Sequence, residues 1–400
     1  MNNIKTNKLV LFGAGKIGRS FIAQLFSLGD YEVVFIDVAK PIIDELNRRG
    51  NYKVIIKAER EEVLNIGNVR GVLFSEEQSV IDEISSTGIL AVSVGSAGLA
   101  SSIPLIAKGL LKRYEYHREN PLDIIIAENL RNAADYMKKR LKINLPDWYP
   151  IESHVGLIET SIGKMVPIML KKDMEKDVLQ VFAEPYNTLI LDKLAFKNPI
   201  PRVEGLAPKE NMKAWVDRKL FIHNLGHVSA AYCGSYHYPE ASYMYEVLAH
   251  DKIRSFTRET MHQSSKVLDA LYPGVFSSRH FHEHIEDLIA RFRNKALGDT
   301  VFRVGCDLQR KLSSDDRLLA PFHAGIRHNI PVDKIAEAIF YGTHFSAKDE
   351  NGNLLKSDAE FFNKIEKEGL ETVLKKTCKL DDHEYGIVNK QFQKHGKSDT

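Results

Sequence analysis

Four hundred residues exceed what one hydrophobic core usually organises, so two domains are expected. Apolar residues make up 44% and charged residues 27%, the ordinary balance of a globular chain, and a formal net charge of +2 provides no whole-molecule field for nucleic acid. Three scattered cysteines, Cys233, Cys306 and Cys378, argue against a disulfide framework or a thiolate zinc site. With no signal-peptide pattern and no apolar run near the ~20 residues of a membrane span, a soluble cytoplasmic protein is expected.

In chain order, a strand over Lys8 to Phe12 runs into Gly13-Ala14-Gly15-Lys16-Ile17-Gly18. A helical pattern through Phe21, Ile22 and Leu25 follows, and a second strand ends at Asp37, nineteen residues after Gly18. A lone GxGxxG is weak evidence, but strand, glycines, helix, strand and acid in this order form a dinucleotide-binding fingerprint. The glycines serve the turn, the close approach of a pyrophosphate and helix–strand packing, and the helix N-terminus favours phosphate. Asp37 is placed for ribose hydroxyls and would repel a 2′-phosphate, so NAD is expected over NADP.

Alternation continues with a helix over Pro41 to Arg49, short strands at Tyr52 to Ile56 and Gly71 to Phe74 read as a paired excursion, and a helix at Val80 to Ile84. The apolar run Gly88 to Val94 reads as a buried parallel strand opening into a small-residue loop, Gly95 to Gly98. A helix over Ile103 to Leu111 precedes another buried strand, Asp123 to Ala127, which delivers Glu128 and Asn129 to the same edge. Such an edge is where a doubly wound sheet binds its ligand, so Val94, Gly95, Glu128 and Asn129 join the cofactor candidates. Prolines between 198 and 208 set the boundary near Gly205. The fold class is therefore α/β: an N-terminal Rossmann-type doubly wound sheet over 1–204, a mostly α-helical domain over 205–388 and a loose tail over 389–400.

The second domain opens on Trp215 to His227, WVDRKLFIHNLGH. On an ideal α-helix Lys219, Asn224 and His227 share an arc of about 140°, with apolar side chains on the other sides. A lysine in so apolar a helix is pushed toward the proton affinity of a general base. An amide and an imidazole beside it can steady a developing alkoxide, and Gly226 leaves room for a ligand at the backbone. Hydride transfer from an alcohol to nicotinamide needs that base and those donors, with Asn129 as a further donor, in a cleft between the domains. Taken singly, each has a plainer role: a snorkelling surface lysine, a capping asparagine, a satisfied core histidine.

FGAGKIGRSFI (12–22), AENLRN (127–132), KLFIHNLGH (219–227) and RKLSSDDRLLAP (310–321) together resemble the polyol-specific long-chain dehydrogenases, the mannitol dehydrogenase family, over roughly residues 9–345. The resemblance implies zinc-independent catalysis, with Lys219 as base, Asn129 and Asn224 as oxyanion donors and His227 positioning substrate. It implies a sugar alcohol and its ketose as substrates. The short chain favours the branch acting on a hexitol phosphate such as mannitol 1-phosphate and the matching ketose, fructose 6-phosphate; a monomer or homodimer is expected. Sugar-acid reduction, of fructuronate or tagaturonate, and a non-catalytic NAD sensor are the alternatives.

Four residues depart from that pattern. Gly163-Lys164 stands where relatives carry an Asp-Arg pair, Cys306 where a basic residue is expected, and His223 where an apolar one is common. Arg303, Arg310, Lys311 and Arg317 form the basic group nearest to a phosphate or carboxylate receptor, with Lys164 and His223 as further substrate contacts. Their plainer reading is solvated charge paired with Asp315 and Asp316. His280, His282 and His284 would share one face of a strand, but the flanking pattern is helical, no catalytic step calls for a metal, and the run is expected to be an exposed loop.

Overall fold

The computed structural model describes residues 4–395, and the chain divides into two compact units, 1–216 and 217–400. Among the described residues the strands of the first unit are β1 (Lys5–Phe12), β2 (Glu32–Asp37), β3 (Tyr52–Ile56), β4 (Glu62–Ile66), β5 (Val69–Leu73), β6 (Thr87–Val92), β7 (Leu122–Ile126), β8 (Val155–Ser161), β9 (Val181–Ala183), β10 (Leu189–Asp192) and β11 (Leu206–Lys209). Eight form one sheet in the order β11-β10-β8-β7-β6-β1-β2-β5. It is parallel from β8 to β5, and β10 joins β8 antiparallel.

β1 sits centrally because it is buried on both faces. Leu9 and Leu11 enter one core with Phe21, Ile22 and Phe26, while Val10 and Phe12 enter the other with Val80, Ile84 and Ile106. The chain leaves β1 toward β2, whereas β6, on the other side of β1, is left toward β7, so the loops after β1 and β6 diverge at the carboxyl edge of the sheet. That divergence is the ligand crevice of a doubly wound sheet.

Two strand expectations need correction. The strand at Gly71 to Phe74 is β5, starts at Val69 and extends the main sheet beside β2 instead of pairing with β3. The partners of β3 are β4 and β9 in a separate three-stranded sheet. β4 escaped the sequence reading because its side chains are mostly exposed and its apolar alternation is weak.

The second unit is mostly helical. Its helix Leu225–His237 packs against Asp251–Leu271, Val301–Gly305 and Asp333–Thr343. The tail expected to be loose from 389 is, as far as His395, the end of a helix over Asp382–His395. Phe392 meets Phe340 edge-on at 4.9 Å and the His395 ring stacks on it at 4.8 Å. Those two aromatic contacts hold a segment whose composition alone looks polar.

Candidate active site

The glycine loop follows β1, and its three glycines meet different surroundings. Gly13 has φ of 101°, and a Cβ there would lie 2.1 Å from the Ser93 carbonyl oxygen; one on Gly18 would lie 2.0 Å from that of Gly13. A Cβ on Gly15 would meet nothing within 4 Å. The outer glycines let backbones touch, and the middle one fronts open space. Lys16 is exposed and Ile17 packs on the core. The helix then opens on a wide π turn, Gly18–Ile22, in which the Ala23 N–H reaches back to the Gly18 carbonyl.

Asp37 ends β2, and its carboxylate accepts from the Ala14 N–H at 2.6 Å and the Ala39 N–H at 2.8 Å. It thereby ties the glycine loop to the loop after β2. Lys40, the cation nearest in sequence, pairs with Asp44 one helical turn on, at 2.9 Å. A cavity of about 430 Å³ beside these groups is lined by Gly13, Gly15, Asp37, Val38, Phe74 and Val94. Gly95 to Gly98, expected as a loop, is the first turn of a helix over Gly95–Tyr116. Glu128 accepts from the Val94 and Gly95 N–H groups at 2.6 and 2.9 Å, so it is engaged with the start of that helix. Burial raises its pKa against those two bonds. Asn129 lies exposed just past β7.

In the second unit the segment expected as regular α-helix carries a π turn over Lys219–Asn224, between α-helical Met212–Arg218 and Leu225–His237. The wide turn absorbs one residue. Asn224 then behaves as four positions from Lys219 and His227 as seven, which narrows their arc from about 140° to about 60°. Burial and the positive charge of Arg317 lower the Lys219 pKa to about 8. His223 is buried, and that burial, reinforced by Arg291 and His227, keeps it uncharged, so it is Arg317 that acts on the lysine electrostatically.

His227 is also uncharged, through burial first and then the cations Arg303, Arg317, Lys311 and Arg291. Its ring stacks on Phe292 at 4.3 Å and 5°, and its Nε2 lies 3.5 Å from the buried Asp299 carboxylate, which also meets the Arg303 guanidinium. Gly226 opens no path for a ligand. A Cβ there would sit 2.4 Å from Met261 Sδ, so this glycine serves helix packing.

The proposed anion contacts divide. Arg310 pairs with Asp307 and, at 3.0 Å, with Asp316; Arg317 Nε donates to Asp316 at 2.7 Å. Lys311 is buried and donates to the carbonyls of Val304, at 2.6 Å, and Cys306. Burial and Arg317 lower its pKa to about 8. Lys164 belongs to the first unit, buried and donating to Gln24 at 3.2 Å and Asn187 at 2.8 Å, contacts that tie it to the glycine-loop helix.

Residues 7–205 match the model of the mannitol dehydrogenase Rossmann domain, and residues 211–390 that of the mannitol dehydrogenase C-terminal domain. The chain belongs to the mannitol dehydrogenase family. Its fold is similar to a D-sorbitol dehydrogenase solved substrate-free, with a TM-score of 0.80 and 17% identity over 98% of this chain and 94% of that one. It is also similar to Pseudomonas fluorescens mannitol 2-dehydrogenase, solved as a ternary complex with NAD and D-mannitol, with a TM-score of 0.67 and 17% identity over 88% and 81% of the two chains. At such identity the likeness speaks for the family's fold alone. Within that fold, the residue the sequence reading missed is Asp299. Its one local sign is the spacing to Arg303, four residues on, and nothing in the sequence ties either to His227.

Proposed function

We propose that the protein is an NAD-dependent polyol dehydrogenase interconverting a sugar alcohol and its ketose, with Lys219 as general base. The observation that carries this reading is a lysine in the family's C-terminal domain whose pKa is lowered to about 8, on the arc of Asn224 and a neutral His227. Bound NAD supplies the hydride acceptor. Gly13, Gly15 and Gly18 would hold its pyrophosphate and Asp37 its ribose, which fits the open space at Gly15 and the solved relative's NAD complex. Lys219 takes the hydroxyl proton as the carbinol hydrogen leaves as hydride, and in reduction the ammonium returns it. Asn224 and Asn129 donate to the oxygen as charge develops there. His227, neutral and braced by Phe292, orients the substrate.

The substrate in this reading is a hexitol phosphate such as mannitol 1-phosphate, with fructose 6-phosphate as product. The cations Arg303, Lys311 and Arg317 around His227 favour an anion. A second reading, an unphosphorylated hexitol or a sugar acid, is favoured by the carboxylates already paired with Arg303, Arg310 and Arg317. A substrate panel decides: mannitol 1-phosphate, mannitol and sorbitol with NAD, then fructose 6-phosphate, fructose, fructuronate and tagaturonate with NADH. Turnover confined to the phosphorylated pair is expected. Higher kcat/KM on an unphosphorylated polyol would establish the second reading, and NADH binding with no turnover of any polyol or ketose would leave the sensor alternative.

A further inference from the structure

The run from His280 to His284, expected as an exposed loop, lies in the helix Ser278–Phe292, which sorts its histidines onto different sides. His280 and His284 lie one turn apart with rings 6.1 Å apart, and His280 Nε2 meets Arg218 at 2.6 Å. His282 and Glu286, also four apart, face the helix Asp251–Leu271 instead. There the His262 ring lies 6.0 Å from that of His282, with planes 15° apart. One ligand atom each from His262, His282 and Glu286 lies within 4.8 Å of the other two, a grouping that stands alone among the described residues.

We infer that His262, His282 and Glu286 form a surface site for a borderline divalent transition metal of the Zn²⁺ class, clamping these two helices. Two imidazoles and a carboxylate are a donor set that such a cation accepts, with water as fourth ligand. Metal–ligand bonds of about 2.0–2.2 Å place ligand atoms about 3.3 Å apart. Closing separations of up to 4.8 Å falls to side-chain torsions, since His282 is exposed and His262 and Glu286 are partly so. His262 is held toward the neutral, ligating imidazole by burial and by His282. Glu286 is held ionised by Arg258, whose guanidinium engages both its oxygens at 2.6 and 3.0 Å. That fork competes with the metal for the carboxylate and weakens its binding. His282 stands ten residues, about 15 Å of helix, from the Phe292 that braces His227, so the metal takes no part in the lysine chemistry.

The test is equilibrium dialysis of the chelator-stripped full chain against Zn²⁺ alone, with thermal unfolding alongside. Saturable binding of one Zn²⁺ per chain and a raised Tm are expected. His282→Ala, at an exposed position, and Glu286→Gln each remove a ligand and should weaken binding by at least the ~10–100-fold that loss of an outer-shell partner costs, while His280→Ala leaves it intact. Absence of saturable binding by the wild-type chain, affinity unchanged in His282→Ala, or loss in His280→Ala equal to that in His282→Ala would each overturn the assignment.

Discussion

Two lysines, Lys8 in the first unit and the partly buried Lys219 in the second, show how a neighbouring charge alters what desolvation does to an ammonium. Lys8 in β1 is 3% exposed, and burial lowers its pKa, but Glu83 at 2.8 Å and Ser86 at 2.9 Å hold the charged form. Around Lys219 the shift has two causes of one sign, burial and the cation Arg317. Burial lowers both, and the neighbouring charge opposes it at Lys8 and adds to it at Lys219; Lys311, lowered to about 8 by burial and Arg317 as well, is instead engaged with the Val304 and Cys306 carbonyls.

The comparison breaks most visibly if both lysines are removed in turn. Lys219→Ala should lower kcat by about 10²–10⁴-fold with NADH affinity retained. Lys8→Met should leave kcat alone and cost about 2 kcal/mol in urea unfolding, because Glu83 and Ser86 lose a charged hydrogen-bond partner while Arg70, at 2.8 Å, still compensates Glu83. Equal loss of turnover in the two would erase the distinction. A pH profile sharpens it. Lys219 must be unprotonated to accept the alcohol proton, so polyol oxidation should rise with pH through about 8. Arg317→Gln removes a repelling cation and should move that inflection upward, whereas an unmoved inflection would take Arg317 out of the argument. Next comes the glycine loop. Gly13→Ala should destabilise the fold, its Cβ being driven against the Ser93 carbonyl, whereas Gly15→Val should keep Tm and weaken NADH binding, read by fluorescence titration. The smallest effect is expected at Gly226→Ala, about 1–3 kcal/mol of unfolding free energy from overpacking against Met261, with KM for NAD unchanged.

How much could be read in advance depended on whether the interaction was local. The strand–glycine–helix–strand–Asp37 run lies within one stretch of chain, and its order already specifies a nucleotide crevice. The Lys219, Asn224 and His227 spacing was visible too, but the π turn that narrows their arc has no residue signature. Asp299 is 72 positions from the histidine it approaches, and Met261, the reason for Gly226, lies across a helix–helix contact. β4 was lost because an exposed strand carries little apolar alternation. Gly95 to Gly98 looks like a loop by composition, yet Glu128, from the end of another strand, accepts the Val94 and Gly95 N–H groups where that helix begins.

By itself, the amino-acid order determined a doubly wound nucleotide unit, a helical partner unit and one unusual lysine, because periodicity and glycine spacing act over a few residues. Only the tertiary structure decided which cations surround that lysine, which acid meets His227 and which glycines pack rather than bind. Those outcomes rest on desolvation and on charges brought together from distant segments, and neither exists until the chain has folded.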